Sequence, residues 1–263
     1  ACAVVGIFVV LKGMAFMGDA VAHSSLAGMS VAYFVGGSVF WGALAWAVPA
    51  SLAITFISRR VNLRLDASIG IIFAGGFAIG IILMSQVDNY TADLFSLLFG
   101  NVLGVSWYDV ILISVIAGVV LLVVSILYKE LLFTSYDATM SAASGIPVRL
   151  IQYLLPVLVG VTTVASLKAV GIVLVLALLV TPAATSMLLA RRLPGMIGYS
   201  VAVAMVSVIA GLYLSFHVGL PSGPSIVLVA TGFFLLALLF SPRKGMLWHK
   251  WRRPLATKYD TAP

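Results

Sequence analysis

Charge is what this sequence has least of. Lysine, arginine, aspartate and glutamate together make up 9% of its 263 residues, where a soluble domain carries roughly 25%. With so few charged groups to solvate it, the chain cannot cover a water-soluble surface. Its apolar share is 62% and its mean hydropathy +1.19. Cysteine is nearly missing too. The single Cys2 excludes an internal disulfide. No GxxxxGK[ST] stretch occurs, so ATP is not held by that device. Neither a GxSxG nor an HExxH stretch occurs. No signal peptide is visible.

What is present is a series of apolar runs approaching 20 residues without strict alternation, which predicts membrane-spanning helices rather than barrel strands. After a short run at 1–11 come 13–36, 38–57, 67–87, 108–128, 150–167, 169–190, 195–217 and 224–241. The expectation is an all-α polytopic bundle of about eight full spans. The first run is too short to span, so the chain is expected to start inside its first helix. Residues 1–242 read as a single transmembrane domain and 243–263 as a basic cytoplasmic tail. Pro49, Pro156, Pro182 and the pair Gly75-Gly76 interrupt apolar runs, as neighbouring helices can tolerate. Small residues in "AGGFAIG" and "GVTTVAS" permit close helix packing. No internal repeat stands out.

The net charge of +7 sits in the wrong places for nucleic acid. If the spans alternate and 59–64 is cytoplasmic, every basic residue except Lys168 falls inside, the distribution expected of cytoplasmic loops. Asp88 and Asp93 fall outside, with Asp109 at the outer end of its span. Asp88 and Asp93 read as a solvated outer loop or as a cation-concentrating mouth. His217 reads as a loop histidine or a docking contact, and His249, between Trp248 and Trp251, as an interfacial anchor.

One run breaks the pattern. "GMAFMGDAVAHSSLAG", 13–28, places Asp19 and His23 inside a membrane span. An ionisable group there costs kilocalories without a partner, and is functional by default. Four residues apart, the two share a helix face. Counting about 1.5 Å per residue from Lys12 puts them near the middle of the bilayer. Carboxylate plus imidazole is a half-site for a divalent transition metal. The same pair would serve as a proton relay, or as a hydrogen-bonded pair that only locks packing. One chain supplies too few ligands for a dehydrated divalent ion, whereas isologous pairing would supply the patch twice.

A second segment, "YKELLFTSYDATMSAASGIPVRL", 128–150, is cytoplasmic on this topology. Its middle, 137–144, followed by Gly145 and Pro147, predicts a short helix with a Gly–Pro stop. From the residues alone it is a connector or a docking element.

Six segments, in order, resemble the permease subunits of zinc, manganese and iron ABC importers. They are "LKGMAFMGDAVAHSSLAG", "DASIGIIFAGGFAIGIILMS", "DLFSLLFGNVLGVSWYD", "YDATMSAASGIPVRL", "VGIVLVLALLVTPAATSMLLA" and "LPSGPSIVLVATGFFLLAL". The resemblance implies a fold similar to the vitamin B12-type importers. It implies a homodimer in the cell membrane with a cytoplasmic C-terminus, each permease docked on a cytoplasmic ATP-binding subunit that hydrolyses the ATP. It also implies an extracytoplasmic metal-binding protein that delivers the ion. No permanently bound cofactor is implied, only the transported manganese, zinc or iron. Asp19 and His23 would line the path. The cytoplasmic segment Tyr136, Asp137, Ala138, Thr139, Met140, Ser141, Ala142, Ala143, Ser144 and Gly145 would be the coupling helix. The rival readings are a permease for a chelate such as a siderophore or cobalamin, a proton-coupled secondary transporter, and an intramembrane enzyme. For the last, no second carboxylate or nucleophile appears at matching depth.

Overall fold

The computed structural model describes residues 1–86 and 105–241. Asp88, Asp93, His249 and the tail lie outside the described residues. Eleven helices run through the described part: α1 (Cys2–Leu11), α2 (Met17–Phe34), α3 (Val39–Arg60), α4 (Leu65–Met84), α5 (Trp107–Ile126), α6 (Tyr128–Tyr136), α7 (Ala138–Ala143), α8 (Val148–Val170), α9 (Ile172–Leu189), α10 (Leu193–Val218) and α11 (Ser222–Phe240). Seven of these, α3, α4, α5, α8, α9, α10 and α11, are long and apolar enough to cross a membrane. α2 is as long as α9 at 18 residues, but Asp19, His23 and its serines dilute its apolar character. With α2 counted, the expected set of eight long helices is present.

Two details differ from the sequence reading. The 13–36 run does not begin as helix. Gly13 takes φ 68°, a backbone conformation glycine enters at little steric cost, and the chain turns before α2 starts at Met17. Residues 128–136, read as loop, form the helix α6. Its sequence YKELLFTSY is too short and polar to announce itself as a span, and it is held by packing Leu131 and Thr134 inward.

α2 lies at the heart of the bundle, packed against α3, α4 and α8, while α1 packs on α9 and α10 and α11 closes over α9 and α10. Glycine makes this proximity possible. A Cβ on Gly28 would lie 2.2 Å from the Gly42 carbonyl oxygen, and one on Gly76 would lie 2.5 Å from the Ser24 Cβ. Between helices in lipid, such contact-distance packing replaces the hydrophobic drive. The α2 serines turn inward without leaving bare donors. Ser25 Oγ donates to the Ala22 carbonyl at 2.6 Å and Ser30 Oγ to that of Leu26 at 2.7 Å. Ser30 also reaches the Gly80 carbonyl of α4 at 3.2 Å.

The two ends of the bundle differ in charge. At one end Lys12 Nζ donates to Thr134 Oγ1 at 3.5 Å, and the Arg59 guanidinium lies 5.8 Å from the centre of the Tyr153 ring. The helix directions place Arg60, Arg64, Lys129, Arg149, Arg191 and Arg192 at that end as well. At the other end sits Lys168, the basic residue that breaks the pattern. It is neutralised by Asp109, with Nζ 2.5 Å from Oδ1. Asp109 is itself fixed in a capping box with Ser106 at the start of α5, so the pair ties α5 to the last turn of α8.

Burial, and then the nearby Arg59 charge, lower the Lys12 amine to about 8 from its ordinary 10.5. Because the folded-state value is the lower one, the unfolded chain holds the extra proton between about 8 and 10.5. Stability therefore gains from Lys12 as pH climbs through that window, and the penalty is fully present below it. Thermal unfolding in detergent should show wild type gaining on Lys12→Met between pH 8 and 10. Parallel pH profiles for the two proteins would contradict this.

Candidate metal pathway

Asp19 lies in the first turn of α2 and His23 one turn on, so the helix itself delivers both side chains to one face. The carboxylate Oδ1 is 3.4 Å from the imidazole Nε2. Neither is sealed in. The Asp19 side chain is 30% exposed and that of His23 20%. The ring is held from α4 by two edge-on contacts, with Phe73 and Phe77 centroids each 5.4 Å away at 88° and 83°. These two phenyl rings stack on each other and fix the plane in which the imidazole sits. The second ring nitrogen, Nδ1, is buried and has no hydrogen-bond partner among the described residues.

Because α2 starts only at Met17, contacts between helices rather than a residue count from Lys12 set the height of the pair. Val21, between the two, packs at Gly160, where a Cβ would meet Ser51 Oγ at 2.5 Å and Val21 Cγ1 at 3.6 Å. Ser51 and Gly160 are near the midpoints of α3 and α8, and Phe73 and Phe77 flank the midpoint of α4. The pair therefore sits at mid-height in the bundle.

Asp19 opens on a cavity of about 270 Å³ lined by Phe16, Asp66, Ile69, Gly70 and Phe73. Asp66 was not singled out in the sequence, where it reads as the last residue of a charged loop, "SRRVNLRLD". It occupies the first turn of α4, and the side-by-side run of α2 and α4 brings it to the cavity that Asp19 faces. Only tertiary packing joins positions 47 residues apart. Among the described residues no three His, Cys, Asp or Glu side chains converge closely enough to hold a metal ion. One chain thus brings one carboxylate and one imidazole together beside an open cavity.

The segment 136–145 is built as a compact exposed unit at the basic end. Asp137 caps α7, its Oδ1 accepting from Thr139 N at 2.8 Å and Met140 N at 3.0 Å. At the other end Gly145 N donates to the Ala142 carbonyl and Ile146 N to that of Ser141, both at 3.1 Å. With Gly145 at φ 80° this is a Schellman stop, followed by Pro147 as the sequence predicts. Ser141 turns inward, while Tyr136 and Met140 are each 65% exposed and Ala138, Thr139, Ala142, Ala143 and Ser144 are exposed beside them. His217 is occupied locally. Its Nδ1 is 3.0 Å from the Tyr213 carbonyl and its ring lies on that of Tyr213.

Comparison with known proteins agrees along most of the chain. The chain is 45% identical over 251 residues to the manganese transport system membrane protein MntC of Halalkalibacterium halodurans, a match covering 95% of this chain and 86% of that protein. It is 43% identical over 247 residues to the MntC of Listeria innocua, covering 94% and 88%. Among solved structures, PsaBC from Streptococcus pneumoniae in complex with Fab superposes with a TM-score of 0.83 at 36% identity, covering 95% of this chain and 90% of that chain. The model of the ABC 3 transport family matches residues 1–241. The chain belongs to that family, as a membrane-spanning permease of an ABC transporter.

Proposed function

We propose that this permease carries a divalent transition metal inward, manganese first among the candidates, and that Asp19 and His23 are the side chains the ion meets at the middle of the membrane. The observation that carries this reading is the pair itself. A carboxylate and an imidazole stand 3.4 Å apart at mid-height, partly exposed, beside a cavity that holds a second carboxylate. The names of the two MntC relatives point to the same cargo. Carboxylate and imidazole together suit manganese, iron and zinc, and uptake competition among the three ions tests the order. A large chelate would make less use of such a two-ligand step. In this account Asp66 receives the ion on its way from Asp19 toward the basic end.

The Asp19 cavity opens on the flank of the chain formed by α2 and α4, so a second copy facing that flank would complete the ligand set. We assign the basic end to the cytoplasm, with the tail 243–263 on the same side and residues 1–242 as one membrane domain. Asp88 and Asp93 belong to the outer mouth in this topology. ATP is hydrolysed by a separate cytoplasmic subunit that seats on residues 136–145, and an extracytoplasmic binding protein delivers the ion. Orientation is tested by impermeant thiol labelling of intact cells, with Cys2 replaced. A cysteine at Lys168 should label and one at Arg60 should not. Labelling at Arg60 would invert the map.

A further inference from the structure

A second cavity lies at the basic end, away from the Asp19 flank. It has a volume of about 290 Å³ and is lined by Lys12, Arg59, Gln152 and the hydroxyl residues Thr55, Ser58 and Thr134. It is assembled from the end of α3, the starts of α4 and α8, the last turn of α6 and the turn after α1. The three hydroxyls are already committed to backbone carbonyls, those of Ser51, Leu63 and Glu130. Lys12 spends one N–H on Thr134, and neither Lys12 nor Arg59 has a carboxylate within ion-pair distance among the described residues. Two cations are thus held against one small cavity without a counter-charge, at the end of the bundle where lipid headgroups lie. Like charges converge in this way at a cost unless an anion shares them. Burial first, and then the Arg59 charge, lower the Lys12 amine.

We propose that this cavity is a binding site for an anionic phosphate group, either free phosphate or the phosphodiester of an anionic phospholipid, held by Lys12, Arg59 and the Gln152 amide. The guanidinium supplies a planar pair of donors and the ammonium a point charge. Basic pockets between helices at a membrane's inner face recognise lipid headgroups by this chemistry. An occupant here would join α1, α3, α6 and α8, and so brace the helix that leads into α7. The proposal does not depend on which ion the permease carries.

The test is the thermal unfolding of the full chain in detergent. It is run with phosphatidylglycerol, with phosphatidylcholine, with inorganic phosphate, and with chloride at matched ionic strength. Phosphatidylglycerol, inorganic phosphate or both should raise the midpoint by on the order of 2–4 °C over their controls. A rise with the lipid alone assigns the site to the headgroup, and a rise with phosphate alone to the free ion. Arg59→Gln, at an exposed position, should lose the response. Lys12→Gln should lose it too while leaving the ligand-free midpoint equal or higher, because it removes a repelled charge. No rise over phosphatidylcholine and chloride in wild type, or a full response retained in both variants, would overturn the proposal.

Discussion

Asp19→Asn is expected to abolish most metal uptake while the protein still folds and reaches the membrane. The substitution keeps the shape of the side chain and removes the charge. Its neighbour His23 stays braced by Phe73 and Phe77, so the local packing has no reason to collapse. Loss of even an outer-shell partner costs a metal site about 10–100-fold, and a direct ligand should cost at least as much. His23→Ala should act likewise. The double variant should be little worse than either single one, because groups that act as one site are not additive. Uptake should also weaken as the medium is acidified, since protons compete with the metal for the same lone pairs. If the pair only locks helix packing, each single variant will lower the unfolding temperature yet leave radioactive manganese uptake per folded complex near wild type.

The second large effect is expected at Gly145. Its φ of 80° closes α7, and a β-branched side chain there meets the steric penalty of the left-handed region, roughly 1–2 kcal/mol. Gly145→Val should unwind or redirect α7, whose stop depends on that residue. The exposed unit carrying Tyr136 and Met140 would then no longer match its partner. The long helices are not involved, so the permease should assemble in the membrane as before. Uptake should fall, and metal-stimulated ATP hydrolysis should drop to the unstimulated rate. Asp137→Ala, which removes a cap worth about 1 kcal/mol, should give a milder version. Wild-type coupling in Gly145→Val, or a failure of cysteines at 139–144 to crosslink to the ATPase, would dismiss residues 136–145 as the seat.

Much of this architecture was legible in the sequence because lipid imposes simple demands. Long apolar runs are enough to mark the spans, and the structure places a long helix in each of the eight. Asp19 and His23 were visible because ionisable groups are rare inside such runs. The short helix at 138–143 was visible through its Asp137 start and its Gly145–Pro147 stop. What stayed hidden was set by packing between distant segments. Asp66 looks like a loop charge until α4 lies beside α2. Lys168 looked like a lone exception until Asp109 was found 2.5 Å away. Lys12 and Arg59 read as two ordinary loop cations, and only the fold brings them to one cavity. α6 lacked both a span's length and a clear cap.

The most direct test of the pathway is to look for His23 on the metal itself. The permease is assembled with its ATPase and binding protein, loaded with Mn²⁺ and trapped with a non-hydrolysable nucleotide. Pulsed electron paramagnetic resonance then reads the nuclei next to the ion. The account predicts a nitrogen coupling from imidazole on the trapped Mn²⁺ that disappears in His23→Gln. Trapped Mn²⁺ in a transport-competent complex with no such coupling, or with a coupling unchanged in His23→Gln, would contradict it.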